Sequence, residues 1–355
     1  MKYLTFFGLG LPVFIIVIPY LINIVTQFPG QYTHEKGGII LVTGASSGIG
    51  LSAAIALKKE GYLVVGGVRK ETDAKMLANE YNLRAVILDV TKEVEIESAK
   101  QKVLELSEET GKKFIALVNN AGVSRDLPVE LQPKETIRFV YGVNVFGLMD
   151  VTREFLPLLR LNKGRVINIG SVAGLTAVAG GSTYHGTKHA VEAFSDCLRR
   201  ELYPHGVSVA LVEPAYVESK IFGKSTGGND PTATLTNEEY KLYNHVFANR
   251  KETMKKVLKT ASPTTVTDDA IIHAIKSPYP KTRYIVANVL GLPANVIVPL
   301  LSQFPDRVAD VIFFYATQKG YGGLVPLFVT TYICYGLMLM QAWKFVKYID
   351  SKILL

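Results

Sequence analysis

Short apolar runs alternate with longer stretches of mixed polarity through the middle of the chain. The runs have the length of buried strands, and the stretches between them are long enough for helices. Strands without regular polar positions are typical of a parallel sheet that helices cover on both faces. The pattern predicts strands at 39–42, 63–68, 85–88, 114–118, 165–169 and 207–212, and helices that include 49–59, 94–109, 134–161 and 183–203. We therefore expect an α/β fold with a doubly wound parallel sheet.

The first 26 residues predict an N-terminal membrane anchor. Tyr3 to Val25 contains no charged residue and is long enough for a helix to cross a hydrocarbon core. A cleaved signal peptide is the alternative, because Lys2 supplies a positive start. However, the apolar stretch is longer than a typical signal-peptide core, and no small-x-small cleavage site follows it. Residues 27–38 are polar, contain Pro and Gly, and form the predicted linker to the folded domain.

A second uncharged segment of membrane length lies near the C-terminus, from Leu324 to Trp343. Residues 321–355 are therefore predicted to form a C-terminal membrane segment with a basic tail, which leaves 39–320 as the folded domain. A buried helix is the alternative, since Thr and Tyr residues interrupt the apolar run. If both segments span, the termini share one side, and the terminal lysines favour the cytosolic side. The opposite orientation, or a second segment that does not span, stays open.

Composition supports membrane segments and argues against nucleic-acid binding. The chain of 355 residues is 48% hydrophobic and 20% charged, with a positive mean hydropathy of +0.21. Its formal net charge is +8, but no basic run interleaved with aromatic residues appears, so we expect no nucleic-acid partner. Two cysteines, Cys197 and Cys334, are too few and too badly placed for a disulfide framework.

A glycine-rich turn, TGASSGIG at 43–50, joins the first predicted strand to its helix. At such a turn a phosphate can approach the backbone N–H groups of the helix N-terminus, and glycines remove side chains that would block it. A glycine-rich turn alone is a weak signal, because many turns need glycine only for a positive φ. Its position here favours a Rossmann-type dinucleotide site. The expected phosphate-side residues are Gly44, Ser46, Ser47, Gly48, Ile49 and Gly50.

The end of the second strand bears on the choice of cofactor. An NAD-preferring site places an acidic side chain there, against the ribose 2′-hydroxyl. This chain has Arg69 and Lys70 and no carboxylate at that point. A guanidinium forms a charge-assisted pair with a 2′-phosphate, so the sequence favours NADP(H), without excluding NAD(H). The alternative is that both basic residues belong only to a solvated loop.

Tyr184 and Lys188 are four residues apart in a predicted helix, so they share a face. The ammonium of Lys188 and a positively charged oxidised nicotinamide are expected to lower the pKa of the Tyr184 phenol from about 10 toward working pH. Among 18 tyrosines, one Tyr-x-x-x-Lys pair by chance is unremarkable. The pair therefore gains weight only from its neighbours in the sequence.

Further motifs, taken in order, resemble those of the classical short-chain dehydrogenase/reductase family over about residues 37–284. They are TGASSGIG at 43–50, Asp89 after the third strand, NNAG at 119–122, Asn144, Ser171 and YHGTK at 184–188. Each residue alone has an ordinary explanation as a turn, a cap or a helix-packing amide. The joint resemblance implies an oxidoreductase that moves a hydride between a nicotinamide cofactor and a carbonyl or hydroxyl carbon.

The resemblance implies that Asp89 hydrogen-bonds the adenine and that Asn119, Ala121 and Gly122 pack beside the cofactor. It implies that Tyr184 donates or accepts the proton. Lys188 would also hold the hydroxyl groups of the nicotinamide ribose. These assignments make 39–320 the catalytic domain.

The resemblance also implies roles for Ser171, which orients and polarises the substrate oxygen, and for Asn144, which holds a water that relays protons between the lysine and solvent. The cofactor residues after the sixth strand would be Pro214 and Ser219. The family usually has Pro-Gly at that point, whereas this chain has Ala215 after the proline. Because a methyl group restricts positive φ, the geometry of this substrate loop is in doubt.

His185 and His189 flank the lysine at a helical spacing that suits metal ligands. No third ligand with sensible spacing accompanies them, and a tyrosine proton donor needs no metal. We therefore interpret both as helix-surface residues and predict no metal site.

The segment 222–259 is expected to cover the substrate. Residues 278–286 and the apolar stretch through Leu301 look similar to membrane-associated retinol and hydroxysteroid dehydrogenases of the same family. A membrane-attached enzyme reaches substrates that partition into lipid, so we expect a steroid, retinoid, sphingoid or acyl ketone or alcohol. In a eukaryotic source the expected location is the endoplasmic reticulum membrane. Homo-oligomer formation stays open.

Two other functions compete with this prediction. One is a dehydrogenase of a small polar hydroxy acid, which would need an arginine or paired lysines over the site. The other is a non-catalytic membrane protein that keeps a nucleotide-binding fold as a scaffold. The presence of Ser171, Tyr184 and Lys188 together argues against the scaffold, since a retired enzyme need not retain all three.

Overall fold

The computed structural model describes Tyr32 and residues 36–218, 231–248, 257, 259–289 and 291–302. These residues belong to one compact unit, Gln31–Ala309. Within them, no helix combines the length and the apolarity that crossing a membrane requires. The apolar segments predicted as membrane helices, 3–25 and 324–343, lie outside the described residues.

A seven-stranded parallel sheet forms the centre of the described fold, with strand order β3-β2-β1-β4-β5-β6-β7. Its strands are β1 Ile39–Thr43, β2 Leu63–Val68, β3 Arg84–Ile87, β4 Phe114–Asn119, β5 Arg165–Ile169, β6 Ser208–Pro214 and β7 Arg283–Val286. A short antiparallel pair follows, β8 Asn288–Val289 and β9 Leu292–Pro293. The predicted doubly wound parallel sheet is therefore confirmed.

Helices connect the parallel strands, as the alternating pattern predicts. They are α1 Gly48–Lys59, α2 Glu71–Tyr81, α3 Glu93–Thr110, α4 Lys134–Tyr141, α5 Leu148–Leu161, α6 Ser182–Leu202, α7 Asn237–Leu242, α8 Asn244–Phe247, α9 Thr265–Lys276 and α10 Ala294–Leu301. Short 3-10 turns lie at Val129–Leu131, Val172–Gly174, Tyr203–His205 and Pro231–Thr234.

The core lies on both faces of the sheet because successive residues of a strand point to opposite sides. On one face, Ile40 of β1 packs in a buried cluster with Leu57 of α1 and Ile271 of α9. On the other face, Leu41 packs in a cluster that includes Phe155 of α5. Since each face of β1 meets a different helix layer, the strand is apolar throughout, as its sequence indicates.

The helix predicted over 134–161 is interrupted by a π-helical turn, Gly142–Gly147. Gly147 packs against the backbone of Val90, where a Cβ would lie 2.7 Å from the carbonyl oxygen. A side chain at this position is therefore excluded, and the helix passes close to the loop that follows β3. Wide turns of this type are frequent at functional sites, and Asn144 lies within this one.

Candidate active site

Most of the predicted site residues follow the carboxyl ends of the parallel strands. The turn 44–50 follows β1, Arg69 follows β2, residues 120–122 follow β4, and Ser171 lies just beyond β5. Parallel strands place these ends at one edge of the sheet. Beside β1 the strand order reverses, since β2 and β4 flank it, and ligands of open α/β sheets bind at such a point.

The turn after β1 packs directly against the loop after β4. Gly44 has φ +67°, and a Cβ there would lie 2.9 Å from the Cα of Ala121. Gly50 is tighter still, because its Cβ would lie 2.3 Å from Nδ2 of Asn120. Glycine is therefore required at both positions because the two loops of the chain pack so closely, whether or not a ligand is bound.

Hydrogen bonds fix these two loops together. The hydroxyl oxygen of Thr43 accepts from the backbone N–H groups of Asn120 and Ala121, each at 3.0 Å. The Asn120 amide donates to the carbonyl oxygens of Thr43 at 2.9 Å and Gly44 at 3.2 Å. Asn120 is absent from the predicted site residues, although its position in the NNAG motif signals it.

The beginning of α1 suits a phosphate. Ser47 occupies the N-cap position without a capping side-chain hydrogen bond, and the first turn carries no acidic residue. An anion therefore meets no carboxylate at the positive end of the helix dipole. With the glycine turn beside it, this geometry fits the pyrophosphate of a dinucleotide cofactor.

Arg69 and Asp89 lie at the ends of adjacent strands. Arg69 is exposed and, within the part of the chain that the structure describes, forms no ion pair. Asp89 accepts hydrogen bonds through Oδ1 from the backbone N–H of Thr91 at 3.0 Å and from its hydroxyl at 2.7 Å. Asp89 therefore also shapes its own turn, and its contact with adenine stays a prediction.

Asn119 has a clear structural role. Its buried amide donates to Oγ1 of Thr152 at 2.8 Å and to Oδ1 of Asn168 at 2.9 Å. Asn168 in turn donates to Oγ of Ser195 at 2.9 Å. These bonds link β4 and β5 to α5 and α6 inside the core. The cofactor contact implied for Asn119 stays a prediction beside this role.

Tyr184 lies in the first turn of α6, and a carboxylate from a distant loop holds that turn in place. The backbone N–H of Tyr184 donates to Oδ1 of Asp126 at 3.2 Å, and Ser124 donates to Oδ2 at 2.7 Å. An acidic group at a helix N-terminus is stabilised by the helix dipole. Asp126 therefore links the loop after β4 to the predicted catalytic helix, a contact between residues 58 positions apart.

Lys188 is buried, 7% exposed, and its ammonium donates to the carbonyl oxygen of Ile169 at 2.8 Å. The Nζ atom lies 5.7 Å from the centroid of the Tyr184 ring, so the predicted pair does share one helix face. Burial lowers the pKa of Lys188 to about 8, and the nearby charge of Glu192 raises it against that effect.

The pKa of Tyr184 differs from the expectation. Burial raises it to about 12, whereas a hydrogen bond with Ser171 lowers it and the nearby Asp126 and Tyr216 raise it further. Desolvation of the phenol is the largest cause, and the lowering expected from Lys188 together with an oxidised nicotinamide stays a prediction. The chain by itself therefore keeps Tyr184 protonated, in the form that donates a proton.

Ser171 lies between β5 and the 3-10 turn Val172–Gly174. Its oxygen accepts from the backbone N–H of Ala173 at 3.1 Å and its hydroxyl lies 3.4 Å from the carbonyl oxygen of Pro214. Ser171 therefore caps the 3-10 turn and also lies close to Tyr184. The structure brings Ser171, Tyr184 and Lys188 into one group.

Asn144 binds the loop after β4 from the π-helical turn. Its amide donates to the carbonyl of Val123 at 2.8 Å and to Oγ1 of Thr187 at 3.1 Å, and its Oδ1 accepts from the N–H of Val123 at 2.8 Å. The side-chain amide of Asn144 therefore has hydrogen-bond partners in the protein, one of which, Thr187, directly precedes Lys188. A proton relay through Asn144 stays a prediction.

The segment after β6 is held by backbone pairing. The backbone N–H of Ala215 donates to the carbonyl oxygen of Val286 at 3.0 Å, and Tyr216 forms a β-bridge with Asn288. Ala215 does not have a positive φ, which among the described non-glycine residues occurs only at Asn82, Lys163 and Ala287. The methyl of Ala215 therefore causes no strain. Tyr216, which sequence reasoning missed, lies close enough to affect Tyr184. Ser219 lies outside the described residues.

The two histidines beside Lys188 differ in environment. His189 is exposed, as expected, but His185 is partly buried, bonds through Nδ1 to the carbonyl of Thr176 at 2.7 Å and packs edge-on against Tyr184. The expectation of a surface position is wrong for His185, because the loop before α6 folds over it. No group of three or more potential metal ligands occurs among the described residues.

Comparison with known proteins identifies the family. The profile described as short chain dehydrogenase matches residues 38–229, which include the glycine turn, Ser171, Tyr184 and Lys188. This chain is a short chain dehydrogenase. It is an oxidoreductase that acts on CH–OH groups, which removes the non-catalytic scaffold as an alternative.

Relatives of this short chain dehydrogenase cover most of its length. The NADPH-dependent 3-dehydrocapnine reductase of Ornithobacterium rhinotracheale is 34% identical over 79% of this chain and 97% of its own. Retinol dehydrogenase 16 of Rattus norvegicus is 34% identical over 81% and 91%. The mitochondrial D-beta-hydroxybutyrate dehydrogenase of Bos taurus is 33% identical over 78% and 83%.

The fold is shared with solved structures. A short-chain dehydrogenase from Streptomyces avermitilis matches with a TM-score of 0.62 and 26% sequence identity, over 79% of this chain and 96% of that one. The predicted Rossmann-type architecture of this short chain dehydrogenase is thereby confirmed.

Proposed function

We propose that this short chain dehydrogenase is a membrane-attached, NADP(H)-dependent oxidoreductase of a lipophilic ketone or alcohol. The observation that carries the proposal is the group formed by Ser171, Tyr184 and Lys188 at the carboxyl edge of the sheet. Ser171 lies within hydrogen-bond reach of the Tyr184 phenol, and Lys188 is fixed beside it on the same helix face. A protonated phenol next to a fixed hydroxyl is suited to general acid catalysis at a carbonyl oxygen.

The side chains have separate tasks in this proposal. A nicotinamide cofactor held at this edge of the sheet would supply the hydride in the reducing direction and accept it in the oxidising direction. Ser171 donates a hydrogen bond to the substrate oxygen, and Tyr184 gives that oxygen its proton as the carbonyl carbon becomes a CH–OH carbon. Lys188 stabilises the phenolate that remains, and proton exchange with solvent passes by Asn144. In the opposite direction Tyr184 removes the hydroxyl proton.

The cofactor preference follows from charge. The exposed guanidinium of Arg69 follows β2 directly, and no carboxylate occupies the equivalent position. The relative from Ornithobacterium is NADPH-dependent by its name. We infer that Arg69 binds the 2′-phosphate and that the pyrophosphate lies at the start of α1. The remaining proposed cofactor contacts are Asp89, Asn119, Ala121, Gly122, Pro214 and Ser219.

The lipophilic substrate class rests on the two ends of the chain. We propose that residues 1–26 anchor the enzyme, that 27–38 link the anchor to the catalytic domain 39–320, and that 321–355 add a second membrane segment. A retinol dehydrogenase among the relatives supports a substrate that partitions into lipid. The proposed location is a membrane, the endoplasmic reticulum in a eukaryotic source.

A second candidate is the dehydrogenation of a small polar hydroxy acid. The 33% identity with a D-beta-hydroxybutyrate dehydrogenase favours it. Such a substrate needs a cation near the site. In the described chain Arg125 precedes Asp126, and its guanidinium lies over the Phe139 ring at 5.6 Å. The two uncharged terminal segments favour the lipophilic substrate.

A direct comparison of substrates tests the proposal. The purified full-length chain in detergent would be assayed at the nicotinamide absorbance with NADPH and a panel of retinoid, steroid, sphingoid and acyl ketones. D-beta-hydroxybutyrate with each oxidised cofactor completes the panel. We expect turnover with at least one lipid ketone and none with the hydroxy acid. Turnover of hydroxybutyrate alone would reverse the choice between the two candidates.

A further inference from the structure

A partly buried ionic cluster lies next to the proposed catalytic group. We define it as Arg283 with the three carboxylates that it contacts, Glu192, Glu213 and Asp196. Nη1 of Arg283 bonds to Glu192 and lies 3.3 Å from Glu213, and Nη2 lies 3.1 Å from Asp196. The members come from β7, α6 and β6, so the cluster joins two strands to the predicted catalytic helix.

Two of these carboxylates are almost fully withdrawn from solvent. Glu192 is 8% exposed and Glu213 is 0% exposed. Oε1 of Glu192 and Oε2 of Glu213 have no hydrogen-bond partner within the described structure. Burial and then the charge of Glu192 raise the pKa of Glu213 to about 8. Burying charged groups in this way costs desolvation free energy, and proteins in which apolar residues replace a buried ion pair are often equally stable. A contribution to stability alone therefore does not explain why the cluster is present.

Glu192 touches the parts of the chain that hold the proposed catalytic residues. It lies one helical turn after Lys188 on α6, and its charge acts on the pKa of that lysine. It also supports the segment on either side of Ser171. A Cβ on Gly170 would lie 3.4 Å from Oε1 of Glu192, and one on Gly174 would lie 2.8 Å from the same atom.

Glu213 lies close to Ser171 through the end of β6. It immediately precedes Pro214, whose carbonyl oxygen is the 3.4 Å neighbour of the Ser171 hydroxyl. The cluster is thus adjacent to Lys188 through α6 and to Ser171 through both β5 and β6.

We propose that Glu192 is a positioning residue of the active site. Its carboxylate, held by Arg283 and Glu213, stabilises the positive charge of Lys188 and supports the segment that carries Ser171. The inference rests on the proposed roles of Lys188 and Ser171, and it adds the group that sets their charge and position.

Within the described part of the chain, few charges face Lys188 and Glu192. Lys188 faces Glu192 and Tyr184 on its own helix and the Ile169 carbonyl of β5. Glu192 faces Arg283 of β7 and Glu213 of β6. Asp196 also contacts Arg199, so its charge is shared with a second cation further from the lysine.

Three variants give opposed expectations. Glu192→Gln removes the charge that favours the ammonium, so the pKa of Lys188 falls. Arg283→Gln removes a nearby positive charge and the counter-ion of Glu192, so at pH values where the Glu192 carboxylate is ionised the pKa of Lys188 rises. Asp196→Asn is the matched control, because it contacts the same arginine but lies two helical turns from Lys188. General damage to the fold would not move the first two in opposite directions.

The readout is the pH dependence of NADPH binding to the full-length protein, followed by nicotinamide fluorescence. A charged ammonium donates a stronger hydrogen bond to the ribose than a neutral amine does, so affinity falls as Lys188 loses its proton. We expect the midpoint of this fall to move down by on the order of one pH unit in Glu192→Gln, to move up in Arg283→Gln and to stay in place in Asp196→Asn. Thermal unfolding curves identify any variant that does not fold, and the remaining variants still carry the test.

Two failures are distinguishable. If the wild type binds NADPH but Glu192→Gln keeps the wild-type pH dependence, or both charge variants shift the same way, the role of Glu192 is overturned. A wild type that does not bind NADPH at any pH overturns the proposed function itself.

Discussion

The ammonium of Lys188 donates a hydrogen bond to the carbonyl oxygen of Ile169 at 2.8 Å. Ile169 ends β5, and Ser171 follows two positions later. This bond therefore ties the helix that carries Tyr184 to the strand end that carries Ser171. Because Lys188 is buried and Ile169 is 6% exposed, water competes little for the bond. The three proposed catalytic residues are thus held together by the chain itself.

Arg69→Ala should weaken the use of NADPH by roughly ten- to a hundred-fold while changing the use of NADH little, since the guanidinium pairs only with the 2′-phosphate. The measurement is kcat/KM for both cofactors in wild type and variant. Arg84→Ala is a suitable control, because Arg84 is an exposed arginine on the neighbouring strand. A wild type that favours NADH, or an equal loss for both cofactors, would show that Arg69 is a bystander.

The full-length chain should stay in the membrane pellet after alkaline carbonate extraction, because an uncharged helix of this length is held by its apolar area. Deletion of residues 1–26 measures the share that the N-terminal segment contributes. Release of the intact chain by salt or carbonate would make both terminal predictions wrong.

Asp268→Asn should stabilise the protein above about pH 6. Burial raises the pKa of Asp268 to about 6, against a lowering by the Ser52 hydroxyl, which donates to Oδ2 at 2.5 Å. A raised pKa means that the folded state prefers the protonated form, so this contribution is complete at about pH 4 and is lost as pH rises through 6. A neutral amide avoids that loss, which is worth about 1–3 kcal/mol.

Thermal unfolding at pH 8 and pH 4.5 in the same detergent measures this effect. Asp150→Asn, at an exposed aspartate that does not act on Asp268, should change little at either pH. If Asp268→Asn lowers the unfolding temperature equally at both pH values, the carboxylate is stabilising as a hydrogen-bond acceptor and the assignment fails.

Much of the central sheet is predictable from the sequence because its strands are buried on both faces. The bounds 63–68 and 165–169 agree with the structure, since apolar runs with flanking polar residues define their own ends. Helix Glu71–Tyr81 is not predicted, because Leu77 is its one buried residue and it therefore has almost no apolar period. Strand β7 is missed because RYIV is short and starts with a charge.

Only the site residues that belong to sequence motifs could be predicted. Tyr184, Lys188 and Ser171 are identified by spacing and order, and the structure brings them together. Glu192 and Arg283 are 91 positions apart, and no local pattern relates them. Desolvation raises the pKa of Tyr184 in the chain alone, an effect that a helical spacing does not reveal, and the lowering expected with oxidised nicotinamide stays a prediction.

The most direct test of the central claim is Tyr184→Phe, which removes only the phenol hydroxyl. The measurement compares turnover of the same lipid ketone with NADPH by the purified wild type, by this variant and by Tyr203→Phe, at an exposed tyrosine in the 3-10 turn after α6. We expect turnover of Tyr184→Phe to fall roughly 100-fold or more with NADPH affinity nearly unchanged, and Tyr203→Phe to match the wild type. A folded Tyr184→Phe variant that keeps more than about a tenth of the wild-type rate would contradict the account.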